Sequence, residues 1–83
     1  DGAMDLLLAA LGDKVREGTA LAATGEDEIE GRRCRTFSFG ANTPEKFTAE
    51  EHYAVTDDGE VFVLDILENR YVRLEVMAEE DAP

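Results

Sequence analysis

The stretch Tyr53–Val76, YAVTDDGEVFVLDILENRYVRLEV, constrains this chain more than any other, because it has the pattern of three strands joined by two short turns. After Val55 comes Thr56-Asp57-Asp58-Gly59-Glu60, and Asp-Gly is a leading signal for a tight hairpin, since glycine takes positive φ without a Cβ clash. The run Val61–Leu67 that follows is too apolar on both faces for a strand with one wet side, which predicts a strand inside the sheet. Glu68-Asn69 predicts the second turn, because asparagine tolerates the left-handed region. Tyr71–Val76 alternates again and sets Val72, Leu74 and Val76 on one face.

The rest of the chain has to pack on this meander. With 83 residues there is room for one small domain, and an apolar content of 43% supplies a core. Asp1–Met4 matches the remnant of a cleaved affinity tag and is set aside from fold reasoning. Residues 5–77 are then the domain, and 78–83 an acidic tail. Asp5–Leu11 is made of good helix formers, with Leu7, Leu8 and Leu11 on one face and Gly12 as a natural stop. Two turns of helix are not stable alone, so these leucines must dock on the sheet or belong to a longer helix.

Asp13–Gly18 reads as a connector. Thr19–Thr24 has composition compatible with helix or strand, and the glycines that bracket only six residues favour strand. Glu26–Gly31 reads as a charged turn, and Arg32–Phe39 as the next strand, with Phe37 and Phe39 in the core and Arg35 laying its stem over the sheet. Gly40–Lys46 is a loop. Thr48-Ala49-Glu50-Glu51 has capping-box spacing, although an extended lead-in to Tyr53 fits slightly better. The expected fold is therefore α+β: a short N-terminal helix on an antiparallel meander of four or five strands.

Charge and composition narrow the function. Twenty acidic residues against eight basic ones give a net charge of −12, which disfavours nucleic acid and anionic lipid as partners and fits a solvated acidic surface. A single cysteine excludes an internal disulfide, and one cysteine with one histidine argues against structural zinc. No apolar run reaches the length of a membrane span, and no secretory leader is visible. The glycines are scattered and form no phosphate loop, and the chain has no tryptophan to line a sugar cleft.

Three constellations remain. Cys34 and His52 would make a thiolate–imidazole pair with Asp65 as orienter, but no local cysteine-hydrolase signature accompanies them. Asp57-Asp58-Gly59-Glu60 departs from an EF-type calcium loop after Gly59 and reads as a turn. Arg32, Arg33 and Arg35 form the one basic cluster, suited either to cross-strand pairing with acidic neighbours or to anchoring an acidic group on a partner. Asp65 interrupts an apolar strand; if buried it needs a counter-ion, for which Arg35 is the candidate.

The runs Gly31–Gly40, Glu45–Val55 and Gly59–Asp65, with their Tyr-x-Val, Gly-x-Val and Asp pattern, resemble small PepSY-like and cystatin-like α+β domains of bacterial secreted proteins and lipoproteins. The resemblance covers residues 29–74, and the first helix is shorter than in PepSY domains. It implies an extracytoplasmic accessory or inhibitory interaction module with no catalytic residues. The expectation is thus a non-catalytic domain of a larger protein, with a protein partner and no cofactor. The alternatives are a self-associating unit, pairing through an exposed edge such as 19–24 or 71–76, and a small Cys34/His52 enzyme.

Overall fold

The computed structural model describes residues 2–74. Helix α1 spans Gly2–Leu11 and runs into a single 3-10 turn, Gly12–Lys14. Five strands follow: β1 Thr19–Ile29, β2 Arg32–Asn42, β3 Phe47–Thr56, β4 Val61–Asp65 and β5 Arg70–Arg73. They form one antiparallel sheet in sequential order, β1-β2-β3-β4-β5, so β1 and β5 are its edges. The fold is the expected α+β arrangement, with the helix packed on one face of a five-stranded meander.

Strand alternation divides the side chains between two faces. On the helix face, Leu7 and Leu11 pack on Phe37, Phe39, Tyr53, Val55 and Val61, with Leu21, Val63 and Leu74 at the margin. Phe37 and Phe39 are core, as their alternation predicts. The opposite face is not bare. Ile29, Cys34, Ala54 and Phe62 are buried there and Tyr71 packs against them, which is why β4 has apolar residues on both sides.

The elements depart from expectation in five places. Strand β2 runs on through Gly40, Ala41 and Asn42, where the Gly40–Lys46 loop was expected to begin, because all three pair with β3. The helix begins at Gly2, and Ala3 and Met4, set aside with the first four residues, pack against the core. Strand β1 continues through Glu26-Asp27-Glu28 to Ile29, where a charged turn was expected. An edge strand faces water along one side, so carboxylates are tolerated there. The turn itself is only Glu30-Gly31, both at positive φ (55° and 78°), as a two-residue hairpin requires. Strand β4 stops at Asp65, and Ile66 and Leu67 are exposed in the β4–β5 turn, Leu67 at 96%. Asn69 occupies the left-handed region in that turn (φ 59°), the role its identity predicts. The Asp-Gly turn after β3 is a three-residue loop: Thr56 N–H donates to the Glu60 carbonyl and Gly59 N–H to the Thr56 carbonyl. The expected Val76 position, the boundary at 77 and the acidic tail lie outside the described residues.

The extended reading of Thr48–Glu51 holds, since these residues lie inside β3. A bulge sits here: Phe39 pairs with Glu51 but Gly40 with Ala49, leaving Glu50 as the extra residue.

Candidate functional site

The three arginines of the basic cluster do not form one patch. Arg32 lies on the face away from the helix, where its guanidinium hydrogen-bonds the Glu60 carboxylate, stands 3.4 Å from Asp58 Oδ2, and sits 5.9 Å above the centre of the Phe62 ring. Glu60 also accepts from Arg73 at 2.8 Å, so one carboxylate joins two cations from β2 and β5. The Thr56 hydroxyl donates to Asp58 and accepts from the Glu60 N–H at 2.9 Å, tying the three-residue loop to this cluster. That hydroxyl, and then Arg32, hold the Asp58 carboxyl below the usual carboxylate range, while the hydrogen bond to Glu60 raises the Arg32 pKa. Arg33 and Arg35 point to the helix face and are exposed. Arg33 stands 3.4 Å from Glu26, and Arg35 lies opposite Glu26 on β1 and Val55 on β3, beside a shallow hollow lined by Ala3, Leu6 and Gly59.

Cys34 and His52 are not brought together. Cys34 pairs with Thr56 and Ser38 with His52, four residues apart along β2, which is about 13 Å at a strand's rise. The Cys34 thiol is fully buried, donates to the Arg32 carbonyl at 3.6 Å, and is pushed up in pKa by that burial. His52 instead meets Ser38 across the ladder, with Nδ1 3.0 Å from Oγ. Sequence reasoning missed this pair, although the register of a β2–β3 hairpin implies it. Among the described residues no carboxylate bonds the imidazole, and Ser38 is buried, so the pair has neither the orienter nor the open approach of a nucleophilic site.

Asp65 is not the buried partner of Arg35. It lies opposite Arg70 at the end of β4, and its Oδ1 accepts from the N–H groups of Leu67 (3.1 Å) and Glu68 (3.2 Å). It is the cap of the β4–β5 turn, an Asx motif that stops the strand.

Two further features face solvent. A shallow groove of about 360 Å³ runs between α1 and β4–β5, lined by Leu6, Ala9, Ala10, Val61 and Leu74. The other is the free edge of β1, eleven residues long against four for β5. The Gly18 carbonyl accepts from Asn42 N–H at 2.9 Å. By antiparallel alternation Ala20 and Ala22 also bond toward β2, whereas Leu21 and Ala23 turn their N–H and C=O outward. Thr19 N–H likewise points away from β2, to the Arg16 carbonyl at 3.0 Å.

Among the described residues no group of three or more His, Cys, Asp or Glu side chains is placed to hold a metal ion, and no helix is long and apolar enough to cross a membrane. Compared with known proteins, the chain matches no family model, no curated protein and no solved structure.

Proposed function

We propose that this chain is a non-catalytic interaction domain of a larger protein, and that it takes an extended segment of a protein partner along the β1 edge. The observation that carries this reading is the β1 edge itself, where Leu21 and Ala23 direct donors and acceptors into solvent on the longer of the two sheet edges. Adding a strand to such an edge supplies main-chain hydrogen bonds, with alternate side chains setting specificity. Exposed Arg33 and Arg35 on β2 lie next to β1 on the helix face, where they would meet an acidic group on the added segment. Arg32, the third member of the basic cluster, would contribute by holding the loop after β3 through Glu60 and Asp58. The bacterial envelope or secreted setting rests on the resemblance to PepSY-like and cystatin-like domains; fractionation of cells expressing the full-length protein tests it.

Selection of displayed nine-residue peptides on the immobilised domain tests the edge reading. Selected peptides are expected to lose binding to an Ala23→Pro variant, in which the outward donor is gone while the bonds to β2 remain. Peptides that bind the variant equally well, or no selection at all, overturn it.

A further inference from the structure

The β1 edge carries a pattern that identifies one partner for it. Its flat part is short. The register shift between Ala23 and Gly25 leaves Thr24 as a bulge, and Gly18 at the other end has φ 90°, so regular pairing is confined to Thr19–Ala23. These five residues, Thr-Ala-Leu-Ala-Ala, carry no charge. The two flanks differ. Beyond the bulge stand Glu26, Asp27, Glu28 and Glu30, all exposed; before Gly18 stand Asp13, Lys14, Arg16 and Glu17, two anions with two cations.

We infer that a second copy of this chain pairs with the uncharged segment Thr19–Ala23, antiparallel, about a two-fold axis through Leu21. This deepens the reading of β1 as a docking edge and rests on it. The outward-facing groups fix the register. Leu21 exchanges both backbone bonds with Leu21 of the second copy, and Thr19 lies opposite Ala23, whose N–H donates to the Thr19 carbonyl while the Thr19 N–H stays with the Arg16 carbonyl at 3.0 Å. Ala20 and Ala22 then face each other across the axis as a non-hydrogen-bonded pair, with Cα atoms about 4.5 Å apart. Charge selects the same direction. Antiparallel pairing lays the four-carboxylate flank of each copy against the flank containing Arg16 and Lys14, the latter 3.4 Å from Glu51 of its own chain, whereas parallel pairing would set carboxylates on carboxylates. Leu21 is half-buried at the margin of the helix-face core, so the two copies bring their leucines together and extend one core into the other. The product is a ten-stranded sheet with both helices on one face. A five-residue ladder is a small interface, and the association is expected in the range of about 100 µM.

Cysteine cross-linking reads the register directly. In the double variant Ala20→Cys/Ala22→Cys, mild oxidation is expected to yield a disulfide-linked dimer, because opposed residues at that spacing meet disulfide geometry. Each single variant is expected to stay monomeric under the same oxidation, since self-pairing of residue 20 or of residue 22 needs a different register. Circular dichroism confirms that each variant is folded, and Ala23→Pro is expected to abolish the concentration-dependent dimer in sedimentation velocity. A folded double variant that gives no dimer, single variants that cross-link equally well, or wild-type protein that is monomeric at millimolar concentration overturns the inference. Peptide selection that succeeds while cross-linking fails leaves the docking edge standing and removes the second copy as its occupant. Cross-linking without peptide selection keeps the second copy as the occupant of the edge and removes an extended segment of another protein.

Discussion

Gly40 and Thr48 approach so closely across the β2–β3 bulge that a Cβ on Gly40 would overlap the Thr48 carbonyl oxygen and stand 2.8 Å from the Glu50 nitrogen. Both obstacles are backbone, so neither can swing aside. Gly40→Ala must therefore pull β3 away from β2 at the bulge or lose the bulge. Overpacking of this kind costs about 3 kcal/mol. For a domain of this size the thermal midpoint should fall by roughly 12 °C or more. A melt followed by circular dichroism checks it, and a midpoint within a few degrees of wild type would show that the bulge is not rigid.

Asp65 offers a test of what stops β4. Its side chain accepts from the N–H groups of Leu67 and Glu68, so the oxygen matters and the charge does not. Asp65→Asn keeps an acceptor at the same position and should change stability little. Asp65→Ala leaves both donors to water and should cost about 1 kcal/mol in urea denaturation. Had Asp65 been the counter-ion of Arg35, the asparagine variant would lose as much as the alanine one.

Tyr53 makes the domain sensitive to alkali. Burial, and then the hydrogen bond its hydroxyl donates to Glu51, push the phenol well above its ordinary pKa of 10. The folded chain thus favours the neutral ring. Its contribution to stability is complete below pH 10, where the unfolded tyrosine begins to ionise, and is lost as pH rises toward the folded value. The denaturation midpoint is expected to fall steadily above pH 10. Tyr53→Phe should lose about 1 kcal/mol at neutral pH through the missing hydrogen bond and then decline less steeply in alkali. A shallower slope remains, because Cys34 and Tyr71 are also pushed up by burial. Identical slopes for the two proteins would count against the buried phenol as the cause.

The physics of single strands explains which parts of this structure were legible in the sequence. Phe37 and Phe39 announced their face by alternation, and Asp-Gly and Asn69 announced their turns by backbone conformation. The length of β1 was hidden, because Glu26-Asp27-Glu28 has the composition of a turn and only its place at the sheet edge makes it a strand. Ile66 and Leu67 misled in the opposite sense: they extend an apolar run, but the Asp65 cap ends the strand before them. The Arg32–Glu60–Arg73 cluster joins β2 and β5 through the loop before β4, and the Ser38–His52 pair joins β2 and β3, so both depend on register that composition does not contain. The edge of β1 was legible as a candidate at 19–24. Its bulge and its outward-facing Leu21 and Ala23 needed the ladder with β2.

Glu30 marks where the β1–β2 hairpin is suboptimal. The turn places Glu30 at φ 55° and Gly31 at φ 78°, the conformation of a two-residue turn of the I′ kind. Glycine accommodates this freely, but a glutamate in the left-handed region is strained by about 1 kcal/mol. Asparagine is the favoured residue at this position, and Asn-Gly is the preferred pair. Glu30 is exposed, and its replacement also removes one charge from the four-carboxylate flank of β1. Glu30→Asn is therefore expected to stabilise the domain by about 0.5–1 kcal/mol, raising the urea midpoint without changing the slope. Glu30→Pro cannot adopt the positive φ and should destabilise the hairpin. An asparagine variant less stable than wild type would mean that the Glu30 side chain contributes more than its backbone strain removes.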